Sequence, residues 1–182
     1  PGSLSYKSGD QFSWSARGKS NQNVMLIDST GRSYAIPAHN LPSARGLGDP
    51  VSGRLNLPNG AVFEGMLMGD DELSVLIASD AGYGFIAKLS DLYTKNKAGK
   101  TLLSLPQGAK VLAPQIINNL EEAHLAAVTN EGRMLVFPVV ELPVLARGKG
   151  NKIIGIPSAR VKVREEFVVD LAILSGKQAI KV

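Results

Sequence analysis

The sequence predicts an all-β fold made of side-by-side copies of one four-stranded unit about 50 residues long, three of them complete with part of a fourth. Three observations carry that prediction: an echo at a constant interval, a glycine-centred tight turn inside each copy, and no sustained helical period. "VMLIDSTGRSYAI" from Val24 returns as "VLIASDAGYGFIA" from Val75 and "LAAVTNEGRMLVF" from Leu125, so Gly31, Gly82 and Gly132 stand 51 and 50 residues apart. Leu41, Leu92 and Leu142 follow at the same intervals. "LPNGA" from Leu57 returns as "LPQGA" from Leu105 and, more loosely, as "IPSAR" from Ile156. The units therefore fall at 9–57, 60–105 and 108–156, with a partial one over 159–182.

Within a unit, short runs rich in Val, Ile, Leu and aromatics flank a Ser, Asp or Asn two residues ahead of a Gly. That composition fits a tight hairpin whose Gly takes positive φ. In the middle copy the strands fall near 62–68, 74–78, 84–89 and 101–105, which gives four per unit. No stretch keeps a 3.6 period beyond about two turns, and the Pro and Gly content would break a helix that tried. A unit of this size cannot bury both faces alone, so units pack like blades about an axis. Phe12, Trp14 and Phe63 are expected in the blade core.

The bulk numbers fit this and narrow the chemistry. With 182 residues, 44% hydrophobic and 20% charged, the chain can bury a core of ordinary globular kind. Zero cysteines exclude disulfides, thiolate zinc sites and a Cys nucleophile, and lean toward a reducing compartment. The longest apolar runs, such as 167–174, fall short of the roughly 20 residues a bilayer helix needs. Pro1, Gly2 and Ser3 read as a cloning remnant. A net charge of +4 leans toward a polyanionic partner.

The charge is also sorted. "ARGKGNKIIGIP", over 146–157, is the third copy of a long connection leaving the central hairpin, after "SARGLGDPVSGRLNLP" from Ser43 and "TKNKAGKTLLSLP" from Thr94. Gly48, Gly99 and Gly150 fall in register at spacings of 51. These connections carry Arg45 and Arg54, then Lys95, Lys97 and Lys100, then Arg147, Lys149 and Lys152, against a single acid, Asp49. Other turns carry the opposite sign: Asp70, Asp71 and Glu72 in one, Glu121 and Glu122 in the next. Equivalent loops of a radial array lie on one edge, so the sorting predicts a basic rim suited to a long polyanion such as curved duplex DNA. Arg17, Lys19, Arg54 and Lys88 are secondary candidates for that rim.

Catalytic patterns fail on spacing. "AGKT" at 98–101 lacks the Gly five residues before Gly99, where Thr94 stands, and a strand-like run follows it where a phosphate loop needs a helix. Gly82 and Gly84 are followed by Ala87 where a dinucleotide fingerprint needs a third Gly. His39 and His124 occupy different repeat positions and have no partner at ligand spacing. Asp70 with Asp71 and Glu121 with Glu122 are adjacent turn residues whose side chains diverge. Ten aromatics in all are too few for a single-strand stacking surface.

Four stretches, "SNQNVMLIDSTGRSYAI", "LPSARGLGDP", "LIASDAGYGFIAKLSDL" and "GRMLVFPVVELPVLARGKGNKIIGIPSA", together resemble the C-terminal domain of the A subunit of bacterial topoisomerase IV, within the gyrase A C-terminal repeat family. The resemblance runs from Tyr6 to Arg160. It implies a β-pinwheel whose blades exchange a strand with their neighbours and carry bent duplex on a basic outer edge, helping the enzyme choose substrates by crossing geometry. It implies no catalytic residue, metal or cofactor here, because in the family the strand-cleaving tyrosine lies upstream and the ATPase in the B subunit. The implied partners are double-stranded DNA, the N-terminal cleavage domain, a condensin-type protein and the B subunit. The implied setting is the bacterial cytoplasm at the nucleoid, with peripheral membrane association of the parent enzyme. The gyrase heptapeptide QRRGGKG is reduced here to "LARGKGN" at 145–151, which points away from chiral wrapping. The family disc often has five blades, so an upstream blade is expected to be missing. A protein-binding propeller of the kelch or chromosome-condensation-regulator type, also near 50 residues per repeat, is the alternative.

Overall fold

The computed structural model describes residues 6, 8, 9, 11–43, 46 and 48–175. Three hairpins form its frame: β1 (Asn23–Asp28) with β2 (Arg32–Pro37), β4 (Ser74–Ser79) with β5 (Tyr83–Lys88), and β8 (Ala123–Thr129) with β9 (Met134–Pro138). Each tip closes in the same way. The amides of Gly31, Gly82 and Gly132 donate to the carbonyls of Asp28, Ser79 and Thr129 at 3.0, 3.1 and 3.0 Å. The three glycines sit at φ +85°, +81° and +76°, the left-handed region expected of them from their place in the repeat.

Five further strands complete the sheets: β3 (Phe63–Met68), β6 (Lys100–Thr101), β7 (Gln115–Ile117), β10 (Asn151–Lys152) and β11 (Val168–Ser175). Their order in space is β3-β1-β2-β6, β10-β5-β4-β7 and β11-β8-β9. All named strand pairs are antiparallel. The sequence repeat and the sheet are thus out of phase. Of the four strands expected in the middle copy, only β4 and β5 pair with each other. The strand before them, β3, lies on β1, and the strand after them, β6, lies on β2. The fourth strand is also shorter than expected, two residues in place of a run to Leu105.

The physical reason is that an isolated hairpin leaves two rows of backbone groups unpaired. The chain leading to the next hairpin fills one row, and the connection leaving that next hairpin fills the other. At the tips this shows as a repeated bond: Ser29, Asp80 and Asn130 donate their amides to the carbonyls of Val62, Lys110 and Phe167 at 2.7, 2.9 and 3.1 Å.

The core lies between the sheets. On β4, Val75 and Ile77 enter a cluster with Met25 and Ile27 of the first hairpin and Leu102 and Leu103 of the connection. Leu76 and Ala78, on the opposite face, join Leu125, Ala127, Ile153 and Ile154. A strand buried on both faces reads as a continuous apolar run, and "VLIA" is one. Val24, Leu26, Tyr34, Ile36 and Leu55 form a third cluster on the outer face of the first hairpin.

Two expectations change. Phe63 packs edge-on against Tyr34, ring centroids 5.7 Å apart, but Phe12 and Trp14 are 47% and 41% exposed. In the repeat frame they match the β3 strand, and no hairpin among the described residues lies against them. β9 is the mirror case: Met134, Leu135 and Val136 remain 43–49% exposed. No strand among the described residues covers the edge that β6 and β10 cover elsewhere. One short helix, α1 (Ser158–Lys162), interrupts the β pattern, and no helix among the described residues is long and apolar enough to cross a membrane.

Candidate nucleic-acid interface

Register fixes where the charges sit. β6 pairs with β2 through Ser33↔Lys100 and Arg32↔Thr101, and β10 pairs with β5 through Tyr83↔Lys152 and Gly84↔Asn151. Both lie at the hairpin-tip end of the second strand's free edge. The acidic turns follow β3 and β7, whose last residues Met68 and Ile117 pair with Val24 and Ser74 at the hairpin base, on the other edge. Lys100 and Lys152 therefore sit at the tip corner diagonally opposite the acidic turns, whereas Lys95 and Lys97 lie along the same second-strand edge nearer its base, beside Ala35, Ile36 and Pro37.

Lys95 and Lys97 are exposed and line a groove of about 420 Å³ together with Arg54, Asn40 and Tyr93. Arg54 is partly committed there, to the Asp49 carboxylate and the Asn40 carbonyl at 2.7 Å each. Arg147, Lys149 and Lys152 are exposed, and Lys100 is half-buried. The Lys149 ammonium lies 4.4 Å from the Tyr83 ring centroid, an attraction that orients it without hiding it. Arg45 lies outside the described residues. The connection holding it departs from the other two: Asp49 and Pro50, the counterparts of β6 and β10, form no strand, and a 3-10 turn follows at Val51–Gly53.

The cations match by segment and not by position. Arg32 and Tyr83 each follow a hairpin glycine, so Thr101 corresponds to Lys152 and Lys100 to Asn151. Neighbours on a strand face opposite ways, so β6 and β10 each keep one cation while its direction reverses.

The secondary candidates divide. Lys88 sits at the acidic corner, its ammonium 2.6 Å from Glu72, and the bond and charge of that carboxylate hold its pKa up. Lys19 lines a small polar hollow with Asp70 and Asp71. Arg17 is exposed in the coil ahead of β1.

Sequence reading missed the residue just after each hairpin glycine. Arg32 donates through Nε to the Ala98 carbonyl and through Nη2 to the Gly99 carbonyl, both at 3.0 Å. Its own amide is capped by Asp28 Oδ1 at 3.0 Å. Tyr83 fills the same place in the second copy, and Arg133 in the third. The signal was present as Gly-Arg, Gly-Tyr and Gly-Arg, but its role depends on a partner about 66 residues away.

The register glycines of the connections also gain a reason. Gly99 and Gly150 take φ +70° and +80°. A Cβ on Gly99 would lie 2.7 Å from the Ser33 carbonyl oxygen, and one on Gly150 would overlap the Gly84 carbonyl. They let the connection close onto the neighbouring hairpin.

A second ionic cluster lies away from this corner, around α1. Glu166 is buried, with Arg133 Nε at 2.6 Å from one oxygen and Arg160 Nη1 at 2.7 Å from the other. The Arg133 bond is the main cause that lowers its pKa, against burial that raises it. Arg164 pairs with buried Asp80 at 2.7 Å and stacks over Phe167 at 4.0 Å. These bonds tie the second and third hairpin tips to the segment around α1. His39 and His124 are both exposed, and among the described residues no three His, Cys, Asp or Glu side chains are grouped to hold a metal.

Hairpins that take their edge strands from the next repeat, with their cores between sheets, define a strand-exchanging β-propeller. The profile of the family described as DNA gyrase C-terminal domain, beta-propeller, matches residues 73–118 and 123–175, more than half of the chain, and the chain belongs to that family. It is 61% identical over 171 residues, 94% of its length, to the A subunit of DNA topoisomerase 4 from Pseudomonas aeruginosa, and 50% identical over 179 residues to that of Escherichia coli K12. It spans about a quarter of those relatives, 23% and 24%. Among solved structures, the E. coli ParC C-terminal domain matches with a TM-score of 0.90 at 51% identity, over 95% of this chain and 70% of that one. A DNA gyrase A C-terminal domain shares the fold, with a TM-score of 0.65 at 16% identity over 93% of this chain and 53% of that one.

Proposed function

We propose that this chain is the non-catalytic DNA-binding and DNA-bending domain of a topoisomerase IV A subunit, engaging duplex on the basic connections that run along its sheet edges. The observation that carries the reading is the sorting of charge between sheet edges: Lys95, Lys97 and Lys100 along the second-strand edge of one sheet, Arg147, Lys149 and Lys152 along that of the next, with the acidic turns leaving the opposite edge. Successive blades present these segments one after another, which suits a ligand whose charge repeats along its length. Contacts of this kind fix position and curvature and read few base edges. Arg45 and Arg54 would extend the track on the first copy. Relaxation and decatenation would be chemistry of the whole enzyme, whose working parts would include the N-terminal cleavage domain and the B subunit. A condensin-type protein would be a further contact, and the setting would be the bacterial nucleoid.

If about six cations neutralise phosphates, log affinity against log salt should fall with a slope of roughly −5. Changing Lys97, Lys149 and Lys152 to Glu together should abolish duplex binding at moderate salt, similarly for all duplex sequences. Unchanged affinity at low salt would overturn the assignment.

A further inference from the structure

The residue after the hairpin glycine decides how the next repeat's basic connection is presented, and we infer that Arg32 is a positioning residue for Lys95, Lys97 and Lys100. The inference rests on the DNA-binding reading above. Arg32 reaches across to the neighbouring repeat and bonds the carbonyls of Ala98 and Gly99 with two nitrogens of one rigid fork, at 3.0 Å each. Those carbonyls lie between Lys97 and Lys100, so the fork fixes the backbone from which both cations project. The fork is itself held. The Arg32 amide is capped by Asp28 Oδ1, and Asp28 Oδ2 accepts from Tyr34, whose ring lies where a side chain at Gly99 would go. A backbone pinned before the ligand arrives need not be ordered on binding, and that raises affinity without a new contact.

The second copy supports the assignment by contrast. Tyr83 stands where Arg32 does and offers a ring face, which takes up Lys149 itself at 4.4 Å. Arginine at this position secures the connection through its carbonyls and leaves the lysines free, whereas tyrosine secures it through one of the cations. The two connections are thus held by different chemistry, and the first presents its charges unspent.

The test uses the 182-residue chain, a labelled duplex of about 30 base pairs read by anisotropy, and hydrogen exchange at the amides of 98–101 without DNA. Arg32→Met should speed exchange there and weaken duplex binding about five- to tenfold. Arg32→Lys, which keeps the charge but cannot fork two carbonyls, should behave like Arg32→Met. The loss should vanish in a background where Lys95, Lys97 and Lys100 are all Gln, because Arg32 acts through them. Rescue by Arg32→Lys, or a loss that persists undiminished in the triple Gln background, would make Arg32 a direct phosphate contact and overturn the inference. Full affinity in Arg32→Met alongside a large loss in the triple variant would also overturn it, while leaving the DNA reading intact. Faster exchange in Arg32→Met with no loss in the triple variant would instead sink the DNA reading, and the inference with it.

Discussion

The Tyr34 hydroxyl donates to Asp28 Oδ2 at 2.7 Å, and both residues are fully buried. The other Asp28 oxygen accepts from the Thr30 amide and hydroxyl and the Arg32 amide at 2.9, 2.7 and 3.0 Å, so the carboxylate organises the whole first hairpin tip. Removing the hydroxyl leaves a buried carboxylate oxygen short of a donor, which costs about 1–3 kcal/mol. Tyr34→Phe should lose that much in urea unfolding at pH 7. Burial first, and Asp28 second, push the Tyr34 pKa well above its ordinary 10.0. The folded state therefore keeps a proton that the unfolded state loses, and stability falls as pH rises above about 10. That alkaline loss should be smaller in Tyr34→Phe.

At the α1 cluster the sign reverses. The Glu166 pKa is lowered from an ordinary 4.5 by Arg133 and Arg160, so the carboxylate stabilises the fold above that value. The contribution is lost as pH falls through the folded-state pKa. Glu166→Gln should melt at a lower temperature than the parent at pH 7, with the gap closing below about pH 4. A constant gap across that range would show that the ionic character of the site is immaterial.

Gly82 is held by conformation and by space. Its carbonyl accepts from the Ile153 amide at 2.7 Å, and a Cβ would strike the Ile154 carbonyl. Gly60 has a similar φ of +78° but open surroundings. Gly60→Ala should therefore cost only the left-handed penalty of about 1–2 kcal/mol. Gly82→Ala should cost about 1–3 kcal/mol more through overpacking, as measured by denaturant unfolding.

The two corners should separate in binding. Lys152→Gln should weaken duplex binding at all sequences and reduce the salt slope by about 1. Lys88→Gln, in the acidic corner beside Glu72, should leave both within error. Titration of each variant at two salt concentrations checks this, and equal losses would remove the distinction between corners.

The repeat, the all-β character and the hairpin glycines are legible in the order of residues alone, because each follows from local chemistry: alternation or runs of apolar residues, and a turn only glycine adopts cheaply. The sorting of charge by connection is legible there too, once the copies are aligned at Gly48, Gly99 and Gly150. Which strands share a sheet emerges only from the assembled fold, since unpaired hairpin edges are filled by chain from the neighbouring copy and no local pattern says which edge. The same exchange left Phe12 and Trp14 in solvent and brought Arg32 onto the Ala98 and Gly99 carbonyls. Contacts made across one full repeat leave no periodicity, so their residues look like ordinary turn and surface positions until the sheets are assembled.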